Sequence, residues 1–152
     1  MARETKVAVL FGILFGVTAL AQDRGFTGAW VLAPDKSALH EAGTRDIRLT
    51  VVDDSSTVNV TQNIRRGENH FKCTSDGRPC ENKTSGQDTY TRRLRREKGV
   101  LVWQVTMTRA GDSASITYNE RWSLSDGGGT LTVHRVYPTG QEILQVFARR
   151  QS

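Results

Sequence analysis

The chain has little of what staples or punctuates many small folds: of 152 residues, 3 are proline, 2 cysteine and 3 histidine. Two cysteines exclude a disulfide-dense scaffold. The histidines, His40, His70 and His134, lie far apart and match neither H-E-x-x-H nor any zinc spacing. There is no G-x-S-x-G elbow, no phosphate loop and no Rossmann glycine cluster. We therefore expect no enzyme, no metal and no organic cofactor. Past residue 21 no apolar run approaches the ~20 residues of a membrane-spanning helix. Internal repeats and low-complexity tracts are also missing.

What is present begins with an export signal. Arg3 and Lys6 precede the apolar run Val7 to Val17, and Ala19-Leu20-Ala21 is a small-x-small cleavage site. Residues 1–21 thus read as a signal peptide and 22–152 as one domain. The domain is expected in the periplasm or outside the cell. Gln22, not a cysteine, directly follows Ala21, so no lipid anchor is expected, nor membrane insertion once the signal is removed. Export places Cys73 and Cys80 in an oxidising space. The turn dipeptide Asp76-Gly77 lies between them, which sets the two cysteines face to face across a hairpin. The expectation is a structural disulfide. A redox or metal pair is the rival, opposed by a spacing that is not C-x-x-C.

The domain reads as strand almost throughout. Apolar and polar residues alternate between short clusters of Gly, Asp, Asn, Ser and Pro. Strands are predicted near 26–32, 45–52, 57–64, 89–96, 100–109, 115–124, 130–137 and 142–149, with 70–74 and 80–84 forming the stapled hairpin. One helical turn is predicted at 37–41, after the first strand. Links this short join antiparallel neighbours, and a long meander with one apolar face per strand hides its edges by closing. The predicted fold is all-β: a single antiparallel up-and-down barrel of about 8–10 strands, whose interior holds side chains or one small ligand. Alternation sends Leu49, Val51, Trp103, Val105, Trp122 and Val133 inward.

Gly28-Ala29-Trp30 resembles the opening strand of lipocalins and their calycin relatives. In that family the Trp plugs the closed end of the barrel, under an Arg from the last strand. The resemblance implies the same closure here by Gly28, Trp30 and either Arg149 or Arg150. Arg149 is preferred because it shares parity with Phe147. A wider likeness is to small exported bacterial lipocalin-like proteins of unknown function. Their F-x-G-x-W-x-L-x-x-x-K-S opening is matched by Phe26, Gly28, Trp30, Leu32, Lys36 and Ser37. Their E-R-W-x-L-S-x-x-G segment is matched by Glu120, Arg121, Trp122, Leu124, Ser125 and Gly128, and T-L-T-V follows at Thr130 to Val133. The likeness implies a fold and an exported location, and no ligand. The cysteine pair and the arginine-rich strand depart from the pattern.

That strand is the strongest chemical signal. The formal net charge is +5, carried by 16 arginines against 5 lysines, and the densest cluster is Arg92-Arg93-Leu94-Arg95-Arg96. Alternation sends Arg92, Leu94 and Arg96 to one face, Arg93 and Arg95 to the other. Three readings stay open: a solvated edge or rim, an anion-binding interior, and a polyanion surface. No nucleic acid is expected, because the net charge is small and only Tyr90 interleaves the cluster. Arg121 and Arg135, on later strands, are the other source of an inward cation. Glu120 is a possible internal partner, which would make the site structural. The expected function is a monomeric, non-enzymatic, lipocalin-like binding protein for a small, partly apolar or amphipathic, anionic ligand. Its contacts are expected from Arg92, Arg96, Trp103, Arg121, Trp122 and Arg135. The alternative is a barrel filled by Trp103, Trp122 and Met107 that binds a macromolecule, as an inhibitor of a secreted enzyme or a binder of an envelope polymer.

Overall fold

The computed structural model describes residues 25–39, 45–65 and 67–151. The signal segment read at 1–21 lies outside them. Eleven strands follow one another: β1 (Gly28–Leu32), β2 (Arg48–Asp53), β3 (Thr57–Ile64), β4 (Gly67–Thr74), β5 (Asp76–Pro79), β6 (Glu81–Thr84), β7 (Thr89–Glu97), β8 (Val100–Thr108), β9 (Ser115–Ser125), β10 (Thr130–Val136) and β11 (Glu142–Arg149). They form one antiparallel sheet in the order β5-β7-β8-β9-β10-β11-β1-β2-β3-β4-β6. Apart from β5, that is a continuous meander in which β11 returns to pair with β1. The result is a nearly closed up-and-down barrel. Among the described residues no helix is long and apolar enough to cross a membrane.

The alternation seen in the sequence sets the two faces. In β8, Leu101, Trp103 and Val105 are buried; in β7, Arg92 and Leu94 are buried while Arg93 and Arg95 are exposed. The apolar core draws on nearly every long strand, with Trp30, Leu94, Trp103, Leu131 and Phe147 all but inaccessible. Burying such side chains supplies about 1.5–3 kcal/mol each, the main term holding the barrel shut.

One end of the barrel is closed as the calycin likeness implied. Trp30 pairs with Arg149 across β1 and β11, and the Arg149 guanidinium lies 4.2 Å from the centre of the indole ring. The same guanidinium donates to the carbonyls of Gly128 (2.7 Å), Gly25 (2.8 Å) and Thr27. Trp30 Nε1 donates to Phe26 O at 3.0 Å. Gly28 sits at φ +153°, and a Cβ there would come within 2.6 Å of Arg149 Nη1, so the absence of a side chain makes room for the arginine.

The hairpin expected across the cysteines is present, with 69–72 antiparallel to 81–84, but its connecting segment departs from a simple turn. The segment after β4 does not turn tightly on Asp76-Gly77. It crosses to the far edge, where Asp76 and Pro79 pair with Arg95 and Arg93 of β7, and then returns as β6 to pair with β4. Hence the strand number exceeds the eight to ten expected. Cys80 lies at the crossover. Its N–H donates to Arg92 O at 2.8 Å, and its sulfur is bonded to Cys73, with the two Cα atoms 4.5 Å apart. That spacing belongs to directly opposed residues of an antiparallel pair. The helical turn expected at 37–41 falls partly on residues outside those described; a turn just before it is described. It is a 3-10 turn at Pro34–Lys36, because Pro34 presets the first helical φ and Ser37 Oγ returns to Ala33 O at 2.8 Å. Another 3-10 turn occupies Asp126–Gly128, where only a flexible turn was expected.

Two outcomes follow for stability. Chain-entropy arithmetic for a loop this short gives the disulfide about 2.5 kcal/mol. Denatured, unreduced protein should show no reactive thiol, and Cys73→Ser with Cys80→Ser should lower the unfolding free energy by that amount. At the closed end, Trp30→Ala should cost about 3–5 kcal/mol and Arg149→Ala about 2 kcal/mol in urea denaturation. Unchanged midpoints for both would remove the clamp from the account of the fold.

Candidate functional site

The other end of the barrel is open. Strands β3, β8 and β10 finish there, and β2, β4, β7, β9 and β11 begin there. A mouth of about 530 Å³ lies over β8–β11, lined by apolar Leu39, Met107, Ile116, Pro138 and Ile143 with Arg109 at its edge. Beneath it is an inner chamber of about 230 Å³. Met107, Arg135, Tyr137 and Gln145 line both, so mouth and chamber meet at these four residues.

The lower half of the barrel is filled. Trp103 packs against Trp122 at 5.2 Å between ring centres, and Phe71 meets Trp103 edge-on at 5.4 Å. Trp122 and Phe71 form part of the chamber floor; Trp103 lies below it, in the core. Trp103 is therefore corrected from a ligand contact to a packing residue. Its indole N–H has no acceptor among the described residues.

Three charged side chains line the chamber: Arg92, Arg135 and Glu120. Glu120 is only 7% exposed. Its carboxylate accepts from Arg135 Nε at 2.8 Å, from Arg135 Nη2 at 2.6 Å and from Trp122 Nε1 at 3.0 Å. Register explains the meeting, because Glu120 and Arg135 are direct partners across β9 and β10. Arg135 also donates to Tyr137 Oη at 3.3 Å and lies 4.8 Å over the Tyr118 ring. Burial works against its charge, but Glu120 and the two phenols outweigh burial and hold its pKa above the ordinary arginine value.

Arg92 is differently placed. It too is 7% exposed, yet among the described residues it has no carboxylate within ion-pair distance. Its Nη1 donates to Asn82 Oδ1 at 2.6 Å across the β6–β7 seam. Its guanidinium stacks on Phe71 at 4.2 Å and Tyr90 at 4.7 Å. Burial lowers its pKa, and the more distant Glu120 offsets only part of that. With two arginines and one glutamate, the chamber carries one uncompensated positive charge.

The remaining arginines named from sequence go elsewhere. Arg96 shares the inward face of β7 but sits at the closed end, bound to Asp53 Oδ2 at 3.1 Å and Ser75 Oγ at 3.0 Å. Its partner is a carboxylate of the fold, so it has no part in the chamber. Arg121 points outward, is 51% exposed, and pairs with Glu97 at 3.2 Å. Lying between Glu120 and Trp122, both inward, it has to face solvent. Sequence reasoning missed Asn82, Tyr90, Tyr137 and Gln145. The parity of Gln145 with Phe147 was a usable signal. Asn82 reaches Arg92 only through the crossover of β5, which no local pattern shows. Among the described residues no three His, Cys, Asp or Glu side chains gather as a metal site.

Two phenols of the chamber, Tyr118 and Tyr90, resist ionisation. Burial raises the pKa of Tyr118 above the ordinary value of 10.0, with Glu120 adding to it, and burial also raises that of Tyr90. An acid whose folded pKa lies above its unfolded pKa keeps its proton better when folded. The folded state then binds more protons above about pH 10, and stability falls as pH rises through that range. Tyr118→Phe should flatten the fall in denaturation measured between pH 9 and 11. An identical slope in the variant would remove Tyr118 as its source.

In comparisons with known proteins, no family model matches the chain and no curated protein matches it at a significant level.

Proposed function

We propose that this chain is an exported, non-catalytic, lipocalin-like binding protein that takes a small anionic amphiphile into the open half of its barrel. The observation that carries the reading is Arg92: a buried guanidinium in a chamber, with aromatic rings on its faces and no carboxylate beside it. An arginine in such surroundings holds its proton and is stabilised by an anion brought next to it. Glu120 does not meet that need, since Arg135 and Trp122 already occupy its carboxylate. A ligand carboxylate would reach Arg92 past Tyr90 and Tyr118, with Gln145 and Arg135 beside its path. Its apolar tail would rest in the mouth on Met107, Ile116, Ile143 and Leu39. The mouth volume falls within the ~300–1,000 Å³ of ordinary small-molecule sites.

The disulfide supports the exported location, because such bonds persist in oxidising compartments. The closure by Trp30 and Arg149 supports the calycin-type reading of the barrel. The filled lower half limits a ligand to the upper chamber and mouth, so a medium-chain acyl tail fits better than a long one.

The test is titration with a fluorescent medium-chain fatty acid and with its methyl ester. The acid should bind saturably and the ester at least tenfold more weakly, about 1.4 kcal/mol. Arg92→Gln should weaken the acid by a similar factor and leave the ester unchanged. Equal binding of acid and ester would take Arg92 out of the mechanism. No binding of either would turn the reading to a barrel that acts through its outer surface.

A further inference from the structure

The basic strand β7 serves two sides of the wall, and the chamber accounts for only one. On the outer side Arg93 and Arg95 are exposed, and among the described residues neither forms an ion pair with a carboxylate. They border a surface notch of about 180 Å³, completed by Gly77, Glu97, Val102, Gln104 and Asn119. Strand β5 makes its upper lip. Arg93 Nη1 donates to Gly77 O at 3.0 Å, which fixes that guanidinium at the edge of the notch. Arg95 lies alongside Gly77: a Cβ there would meet its Nε at 3.4 Å, and the backbone is at φ +80°. A glycine at this point lets the second guanidinium lie against the lip. The register then lays out the floor. Arg93, Gln104 and Asn119 are direct partners across β7, β8 and β9, and Arg95 is followed by Val102. The row above holds Thr106 and Thr117, joined at 2.9 Å.

We infer that this notch is a binding site for an acidic polysaccharide. Two guanidiniums two residues apart on one strand lie about 7 Å apart in the backbone, and each can grip one carboxylate in a fork. Gln104 and Asn119 each offer a donor and an acceptor beside Arg93, which suits the hydroxyls flanking a sugar acid. Val102, opposite Arg95, gives an apolar patch for a pyranose face. A nucleic acid fits less well. No aromatic ring lines the notch for a base to stack on. This site shares no side chain with the chamber and does not depend on what the chamber binds.

The probes are polygalacturonate, neutral dextran and a mixed-sequence single-stranded oligonucleotide of similar charge, each titrated at low salt. The parent protein should bind polygalacturonate saturably and dextran not at all. Arg93→Gln with Arg95→Gln should weaken polygalacturonate at least tenfold while circular dichroism and fatty-acid binding stay unchanged, since both side chains are exposed. Arg45→Gln with Arg48→Gln removes the same charge from another part of the surface and should leave the affinity within twofold. Equal losses in both double variants would reduce the binding to net charge and overturn the site. No polygalacturonate binding by the parent, or tighter binding of the oligonucleotide that is lost in the first double variant, would overturn the proposed partner.

Discussion

Arg149 holds together three pieces of chain that alternation alone would leave apart. The segment before β1, the turn between β9 and β10, and the end of β11 meet at one guanidinium, which uses its carbonyl partners and the Trp30 ring at once. The arginine head is planar, and its five donors lie in that plane while its face rests on the indole. A lysine would make a single-point contact. Once this end is fixed, the pairing of β1 with β11 is fixed, and the inward set of every other strand follows from period-two geometry. The open end can then remain open without putting the sheet at risk.

The interior divides along its axis by chemistry. Toward the closed end stand Trp30, Leu131 and Trp103, packed among apolar side chains, with Trp122 and Phe147 bordering the chamber above them. Toward the open end the wall turns to phenols, amides and charge. Burying charge is costly unless each ion is matched, and Glu120 matches Arg135 through two guanidinium nitrogens. The pair gives the chamber a rigid polar wall. Against that wall, Arg92 stands out by its lack of an acid.

Much of this was legible in the sequence, and the reasons differ from place to place. The closure by Gly28, Trp30 and Arg149 was implied by the calycin resemblance of the first strand, and the pairing of first and last strands in a closed meander brings the three together. The disulfide was legible from spacing. Alternation put Arg92 on one face with Leu94, and the burial of Leu94 is what turns that face inward. By contrast, Asp76 to Pro79 carries turn residues and forms a strand only because the far edge of β7 is waiting for it. That crossover brings Asn82 to Arg92 and Gly77 to Arg95, so neither neighbourhood could be seen locally. Arg121 was misplaced although its parity was plain, since Glu120 and Trp122 flank it. Asp53 lies just past the strand predicted at 45–52, and its pairing with Arg96 depends on contact between β2 and β7, far apart along the chain.

The long-range character of the closure has a consequence for how the barrel forms. The bond from Arg149 to Gly25 spans 124 positions of sequence, and that from Val146 to Ser37 spans 109. The hairpins β2–β3, β7–β8 and β8–β9 join neighbours, and the cysteine bridge encloses only a short loop. Local ribbons are therefore inexpensive in chain entropy, and the stitch between β1 and β11 is the expensive step. Contact order this high places folding on the millisecond-to-second scale rather than the microsecond scale. The disulfide cannot shorten that search, because it links positions already close along the chain. Until the last strand docks under Trp30, both edges of an unfinished sheet stay exposed to other chains. Arg149 is thus a latch that limits how long the barrel remains adhesive.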